Sequence, residues 1–341
     1  MTKTAYPTSF ITFYKLIVLA VIIFVIILTK NSDAHKLHST PTERNTVIVT
    51  PLDSGAQMNK NVEILPKEIV DKPTKILFVG DMSFDRYIRQ VSQKKGDDFV
   101  FSCIDDFLKK YEYVVGNLEG PITPNKSQSV GTKMGSPKNY VFTFPTTTGA
   151  LLKRHNVSLV NIGNNHSNDF GRAGVISTKK YLEEAGVNYF GGPPGDDAIY
   201  RDKKISFISY NQFGGTLKED VAREITIEKN DGQTVVVYAH WGEEYAHDPT
   251  YLREVATLFV QSGADIIIGS HPHVVLPHET IGRTLVYYSL GNFIFDQYFD
   301  ERVMVGQVVS VEISNEGIYT TEYPVRLEKD GRTCLAAQNL P

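Results

Sequence analysis

Short apolar runs that end in small or polar residues recur along this chain, and they suggest its architecture. Ile76–Val79 runs into Gly80-Asp81, Tyr113–Val115 into Gly116-Asn117, and Val157–Ile162 into Gly163-Asn164-Asn165-His166. Further on, Val235–Ala239 delivers His240-Trp241-Gly242, and Ile266–Ile268 delivers Gly269-Ser270-His271-Pro272-His273. Runs of this length predict buried strands. Between them the apolar spacing becomes helical. It predicts a helix over Asp97–Lys110, with Phe99, Ile104, Phe107 and Leu108 apolar, and others over Ala173–Ala185 and Thr250–Ser262. Alternating strands and helices predict an α/β architecture. The chain then turns strand-rich, with strands expected over Leu285–Ser289, Val303–Ile313 and Ile318–Val325. A purely doubly wound sheet would not end that way, whereas two stacked sheets flanked by helices would.

Before residue 74 the texture differs. Residues 10–29 read FITFYKLIVLAVIIFVIILT, with no polar side chain from Leu16 to Leu28. Such a run is long enough to cross a bilayer as a helix. Lys15 lies near one end, where it can snorkel, and Lys3 precedes the run, which orients the tail inward. The expectation is a single-pass cell-membrane protein whose main domain is extracytoplasmic. Ser32-Asp33-Ala34 offers a competing signal-peptidase site, but the long apolar run favours an uncleaved anchor. Residues 30–73 are polar and aperiodic, as in a stalk, apart from a short Thr46–Thr50 run that reads as an isolated strand. The expected organisation is a cytoplasmic tail at 1–9, a transmembrane anchor at 10–29, an extracytoplasmic stalk at 30–73 and one domain over 74–341.

Composition narrows the function classes. The chain has 341 residues, of which 41% are hydrophobic, enough for a sizeable core. A net charge of -4 and the lack of any Lys/Arg-rich run argue against nucleic acid as a partner. Cys103 and Cys334 form no CxxC pair, which argues against a zinc knuckle or a redox dithiol. Two unpaired thiols are the plain expectation, and one long-range disulfide is the alternative if the domain is exported.

The chemistry gathers at strand ends. In open α/β sheets ligands bind beyond the carboxyl ends of strands. Those ends carry Asp81, Asn117 with Glu119, Asn165 with His166, His240, and His271 with His273. Carboxylate, amide and imidazole together suit a divalent metal such as manganese, iron or zinc. Each member has a plainer explanation taken alone. Asp81 can cap a helix, and Asn117 to Pro121 can be turn chemistry. His271-Pro272-His273 is the sharpest signal, because paired imidazoles on a loop are a common ligand arrangement. Five coincidences, all at strand ends, are needed to dismiss the set.

In order, the motifs are Gly80-Asp81 with Arg86; Asn117-Leu118-Glu119-Gly120-Pro121; Asn164-Asn165-His166 with Asp169 and Gly171; His240-Trp241-Gly242 with Glu244-Tyr245; Gly269 to Val274; and Tyr288 to Phe293 with Phe295-Asp296. This series resembles the CapA capsule synthesis family, associated with poly-γ-glutamate capsule production and export, and the resemblance spans about residues 75 to 297. That family in turn resembles the calcineurin-like metallophosphoesterases. The resemblance implies a four-layer αββα sandwich and a site for one or two divalent ions. It implies ligand roles for Asp81, Glu119, Asn165, His240, His271 and His273, with Glu119, or else Asn117, as the bridging group. It makes His166 the proton donor to a leaving group.

Arg86 is expected to hold an anionic group, or else to pair with Asp85 or a neighbour. Asn117, Asn164, Glu244, Tyr245 and Asn292 are expected around the centre, with Glu244 and Tyr245 orienting His240. One departure matters: the phosphoesterases open with Asp-x-His, whereas this chain has Asp81-Met82-Ser83, and Glu119 replaces their aspartate. Phosphatase activity therefore does not carry over with the fold. Three readings follow. The first is a membrane-anchored protein that helps make or export an anionic polymer such as poly-γ-glutamate, beside other capsule-synthesis membrane subunits. The second is an independent extracytoplasmic metal-dependent hydrolase of phosphoesters or amides. The third is a non-catalytic accessory that binds polymer.

Overall fold

The apolar runs become strands, and the strands sort into two sheets. The computed structural model describes residues 73–336, except 194–195 and 197–198. The first half supplies β1 (Thr74–Met82), α1 (Arg86–Lys95), α2 (Asp105–Leu108), β2 (Tyr113–Leu118), α3 (Thr148–Arg154), β3 (Val157–Asn161), α4 (Gly171–Ala185) and β4 (Asn188–Phe190). The second half supplies β5 (Ile199–Asp202), β6 (Ile205–Asn211), α5 (Lys218–Asn230), β7 (Thr234–His240), α6 (Arg253–Ser262) and β8 (Ile266–Ser270). A strand-rich end follows: β9 (Val275–Ile281), β10 (Thr284–Leu290), β11 (Asn292–Ile294), β12 (Val305–Ser314), β13 (Gly317–Leu327) and β14 (Thr333–Leu335).

One sheet has eight strands in the order β14-β13-β12-β1-β2-β3-β4, with β11 also paired to β1. The other has six, in the order β5-β6-β7-β8-β10-β9. Pairing is parallel through the centre of each, from β1 to β4 and from β6 through β8 to β10. Parallel strands point their carboxyl ends the same way, so the polar residues that end them are brought together.

Three apolar clusters hold the layers. Ile76, Phe78 and Val115 of the first sheet pack with Phe207, Val236, Ile268 and Tyr287 of the second. On the first sheet's other face, Leu77, Val79 and Val114 pack against Ile88 of α1, Leu151 of α3 and Leu182 of α4. On the second sheet's other face, Val235, Val237 and Ile267 pack against Ile225 of α5 and Phe259 of α6. Each such side chain taken out of water contributes roughly 1.5–3 kcal/mol before its ordering entropy is deducted. The sheets also touch through a polar contact, with the buried Tyr238 hydroxyl donating to the Val79 carbonyl at 2.6 Å.

Three expectations change. The helix expected over Asp97–Lys110 is two pieces, a 3-10 turn at Asp97–Phe101 and the short α2. The break lies at Cys103, which is disulfide-bonded to Cys334 on β14, so the thiols are paired and not free. The expected cell-membrane location with an extracytoplasmic domain is also overturned. Among the described residues no helix is long and apolar enough to cross a membrane. The apolar run at 10–29 that suggested it lies outside the described residues, as do the tail, the Thr46–Thr50 run and nearly all of the proposed stalk.

Candidate metal centre

Strand register assembles the centre. Across the first sheet, Asp81 of β1 is paired with Asn292 of β11 on one side and Asn117 of β2 on the other, and Asn117 with Asn161 of β3. Across the second, His240 of β7 lies between Asn211 of β6 and Ser270 of β8. Two rows of polar residues thus end the sheets. Asp81, Asn117, Glu119, His240, His271 and His273 are all buried. Close backbone packing brings β1 to its place: a Cβ on Gly80 would sit 1.9 Å from the Gly291 carbonyl oxygen.

The donor atoms converge in two overlapping groups. Glu119, His240 and His271 offer ligand atoms within 4.8 Å of one another, and so do Asp81, Glu119 and His273. Glu119 belongs to both. Around them the hydrogen bonds are dense. Asn117 Nδ2 donates to Asp81 Oδ1 at 2.8 Å, and the His271 backbone N–H donates to Asp81 Oδ2 at 3.0 Å. His240 Nε2 lies 2.9 Å from Asn165 Oδ1, and its Nδ1 lies 3.0 Å from Ser270 Oγ. His273 Nδ1 lies 2.9 Å from Asn292 Oδ1 and 3.4 Å from Asp81 Oδ2.

Atoms of two candidate ligands are left out of this network. Glu119 Oε1 and His271 Nδ1 are buried with no hydrogen-bond partner. Leaving such groups unpaired is destabilising by about 1–3 kcal/mol each. A cation that takes their lone pairs removes that cost, so the donor set of carboxylate and imidazole fits a divalent metal. Electrostatics agree. Burial, then the charges of Asp81 and Glu244, push the Glu119 carboxyl well above its ordinary pKa. Burial pushes His240 well below its ordinary value and His271 down to about 3, with neighbouring imidazoles adding to both. The histidines are therefore held neutral, the form that ligates metal.

The backbone is strained at the same place. Arg86, Tyr245, His271 and His273 all have positive φ, at 48°, 62°, 96° and 58°. For residues with side chains that conformation typically costs of order 1 kcal/mol or more, and it clusters at functional sites. Beside the centre is a cleft of about 520 Å³, lined by His166 and His273, by Glu244 and Asp296, and by aromatic residues including Tyr140, Phe142 and Phe295. His166 Nδ1 is 2.9 Å from Asp169 Oδ2, and its ring lies 4.2 Å from that of Phe142.

The structure sorts the expected residues. Asp81, Glu119, His240, His271 and His273 come together, with Asn165 on His240 and Asn292 on His273. Asn117 and Asn164 lie beneath them, joined by a 3.0 Å hydrogen bond. Glu244 and Tyr245 are not partners of His240. Glu244 lines the cleft, and the Tyr245 hydroxyl accepts from Gln297 at 3.2 Å. Arg86 is ion-paired to Asp296, while Asp85 pairs with Arg89. Asn161, Ser270 and Gln297 are the supports that sequence reasoning missed. Their signal lies in strand register, which one sequence does not display.

A family model described as "Bacterial capsule synthesis protein PGA_cap" matches residues 75–297. The chain belongs to this family. The family match takes in every residue of the centre and ends just past Asn292, leaving β12 to β14 beyond it. The "PGA biosynthesis protein CapA" of Bacillus subtilis (strain 168) is 32% identical over 245 residues, covering 64% of this chain and 63% of that protein. The "Capsule biosynthesis protein CapA" of Bacillus anthracis is 29% identical over 245 residues, covering 64% and 59%. The chain therefore spans less than two thirds of the length of these relatives. A solved structure titled "GAP50 the anchor in the inner membrane complex of Plasmodium" covers 74% of this chain and 84% of its own at 12% identity and a TM-score of 0.38, a likeness too loose to inform function.

Proposed function

We propose that this protein takes part in the synthesis or export of an anionic capsule polymer such as poly-γ-glutamate, through a domain beginning near residue 74 that holds one or two divalent cations. Manganese, iron and zinc all suit the donor set. The observation that carries the reading is the pair of buried donor groups sharing Glu119 at the side of an aromatic-lined cleft, in a chain of the capsule synthesis family. We take the two-sheet arrangement as the four-layer αββα sandwich of the metallophosphoesterase type. Asp81, Glu119, Asn165, His240, His271 and His273 would hold the cations. When bound, a divalent cation supplies Lewis-acid polarisation of an acyl or phosphoryl oxygen and makes water more acidic.

The chain's own residues do the rest. Asp169 holds His166 through Nδ1, leaving Nε2 as the position from which a proton can pass to a leaving group. Asn292 fixes the ring of His273, and Gln297 ties Asn292 to Tyr245. Arg86 has its charge met by Asp296, so it serves to shape the cleft wall over Phe142 and Phe295 more than to bind a free anion. The polymer and other capsule-synthesis subunits are the proposed partners.

The His166–Asp169 pair beside the cleft supports a second reading, a metal-dependent hydrolase acting on its own on an amide or phosphoester. Complementation separates the two. In a capsule-forming strain lacking its own family member, the wild-type chain should restore polymer and Glu119→Gln should not. Restoration by both would refute a role for the centre in capsule formation. No restoration by either, with turnover of a simple phosphodiester in vitro, would favour the hydrolase.

A further inference from the structure

Three side-chain amides meet beneath the centre, and backbone groups fix which way each one faces. Asn164 Oδ1 accepts the His166 N–H at 3.1 Å, so its Nδ2 is the donor, to the Leu118 carbonyl at 2.8 Å and to Asn117 Oδ1 at 3.0 Å. Asn161 Oδ1 accepts the Gly163 N–H at 3.2 Å, so its Nδ2 donates to the Gly163 carbonyl and to Asn117 Oδ1, each at 3.1 Å. Both lone pairs of the Asn117 oxygen are then used. Its amino group must point the other way, into the centre. There it donates to Asp81 Oδ1 at 2.8 Å and faces His240 Nδ1 at 3.2 Å and Glu119 Oε2 at 3.5 Å.

This favours one tautomer of His240. A proton on Nδ1 would face the nearer amide protons of Asn117, which favours Nδ1 as the acceptor and a ring proton on Nε2. Nε2 then donates to Asn165 Oδ1 at 2.9 Å. Nδ1 is enclosed by Asn117 and Ser270, so Nε2 is the nitrogen open to a cation, and it carries a proton. To ligate, the ring must lose the Nε2 proton and gain one at Nδ1, with no net change in its proton count. Among the described residues only Ser270 Oγ, at 3.0 Å, is placed to accept the new one.

We propose that Asn117 is a positioning residue that loosens the centre's hold on its cation, by favouring the His240 tautomer that cannot bind it. A carboxylate at the same place would do the reverse. It would accept the Nδ1 proton and strengthen the imidazole as a ligand, the usual arrangement around metal-bound histidine. The inference rests on the reading that this centre holds a divalent cation.

The test uses the full chain, stripped of metal, and measures the dissociation constant for Mn²⁺ by competition with a fluorescent chelator. Asn117→Asp should bind about 10–100-fold more tightly than wild type. Asn117→Ala removes the opposing donor without adding charge, should also bind more tightly than wild type, and carries the test if the aspartate variant fails to fold. Nitrogen NMR of the metal-free protein supplies a readout that a structural role would not move: the His240 proton should sit on Nε2 in wild type and on Nδ1 in Asn117→Asp. Equal or weaker Mn²⁺ binding by folded variants, with wild type binding measurably, would overturn this inference alone. Failure of wild type to bind Mn²⁺, Fe²⁺ or Zn²⁺ would overturn it together with the metal reading.

Discussion

Replacing Glu119 by glutamine should change how the stability of the metal-free protein depends on pH. Glu119 is fully buried, and its folded pKa lies well above 4.5 through burial and the nearby charges of Asp81 and Glu244. His240 and His271 lie below 6.5, chiefly through burial. Above pH 4.5 the fold favours a proton on Glu119 that the unfolded chain gives up, while below pH 6.5 the unfolded chain keeps protons on both histidines that the fold disfavours. The histidines make stability rise with pH over this range and Glu119 opposes them, each by at most about 1.4 kcal/mol per unit. Above pH 6.5 the histidines are neutral in both states. Of these three groups Glu119 alone can then differ, and any alkaline limb, a fall in stability as pH rises, is its own. Glutamine deletes that contribution. The acid limb should steepen and any alkaline limb should vanish. Shifted carboxylates remote from the centre act equally in both proteins and cancel in the comparison. Urea unfolding of chelator-treated protein, from about pH 5 to about pH 8, reads both limbs. An alkaline limb that persists unchanged in Glu119→Gln would refute the reasoning.

Three further outcomes are expected. Replacing Cys103 and Cys334 together by serine removes a link across 231 residues of chain, and should lower unfolding free energy by about 2–5 kcal/mol in urea titrations. Gly80→Ala would drive a methyl group into the Gly291 carbonyl, and should yield protein with a markedly lowered melting midpoint and weakened metal retention. His166→Ala should leave bound metal unchanged while slowing any hydrolysis about 10²–10⁴-fold, and Asp169→Asn should slow it less.

Much of the centre was legible because the fold places these candidate ligands at strand ends, directly after apolar runs that a sequence displays. Asp81, His240 and His271 could be read that way. Their supports could not. Asn161 looks like an ordinary strand residue until β2–β3 register sets it beside Asn117, and Gln297 gains its role only by reaching Asn292 across a loop. Arg86 illustrates a different limit, since the carboxylate that neutralises it is Asp296, 210 residues away. Helices α1 and α5 went unread, with Ile88 and Val91 buried in the first and Val221, Ala222, Ile225 and Glu228 in the second. β6 went unread although all seven of its residues are buried. The disulfide depends on β14 returning to the edge of the first sheet, a consequence of topology and not of spacing.

On this reading the buried groups around Glu119 hold a divalent cation. Elemental analysis of the purified full chain, beside a His271→Ala, His273→Ala double variant, tests it most directly. Manganese, iron or zinc near stoichiometry in wild type, lost in a variant that still folds, is the predicted result. Wild type and variant equally empty after incubation with all three metals would contradict the account, and would leave a fold that binds polymer, if anything, without metal chemistry.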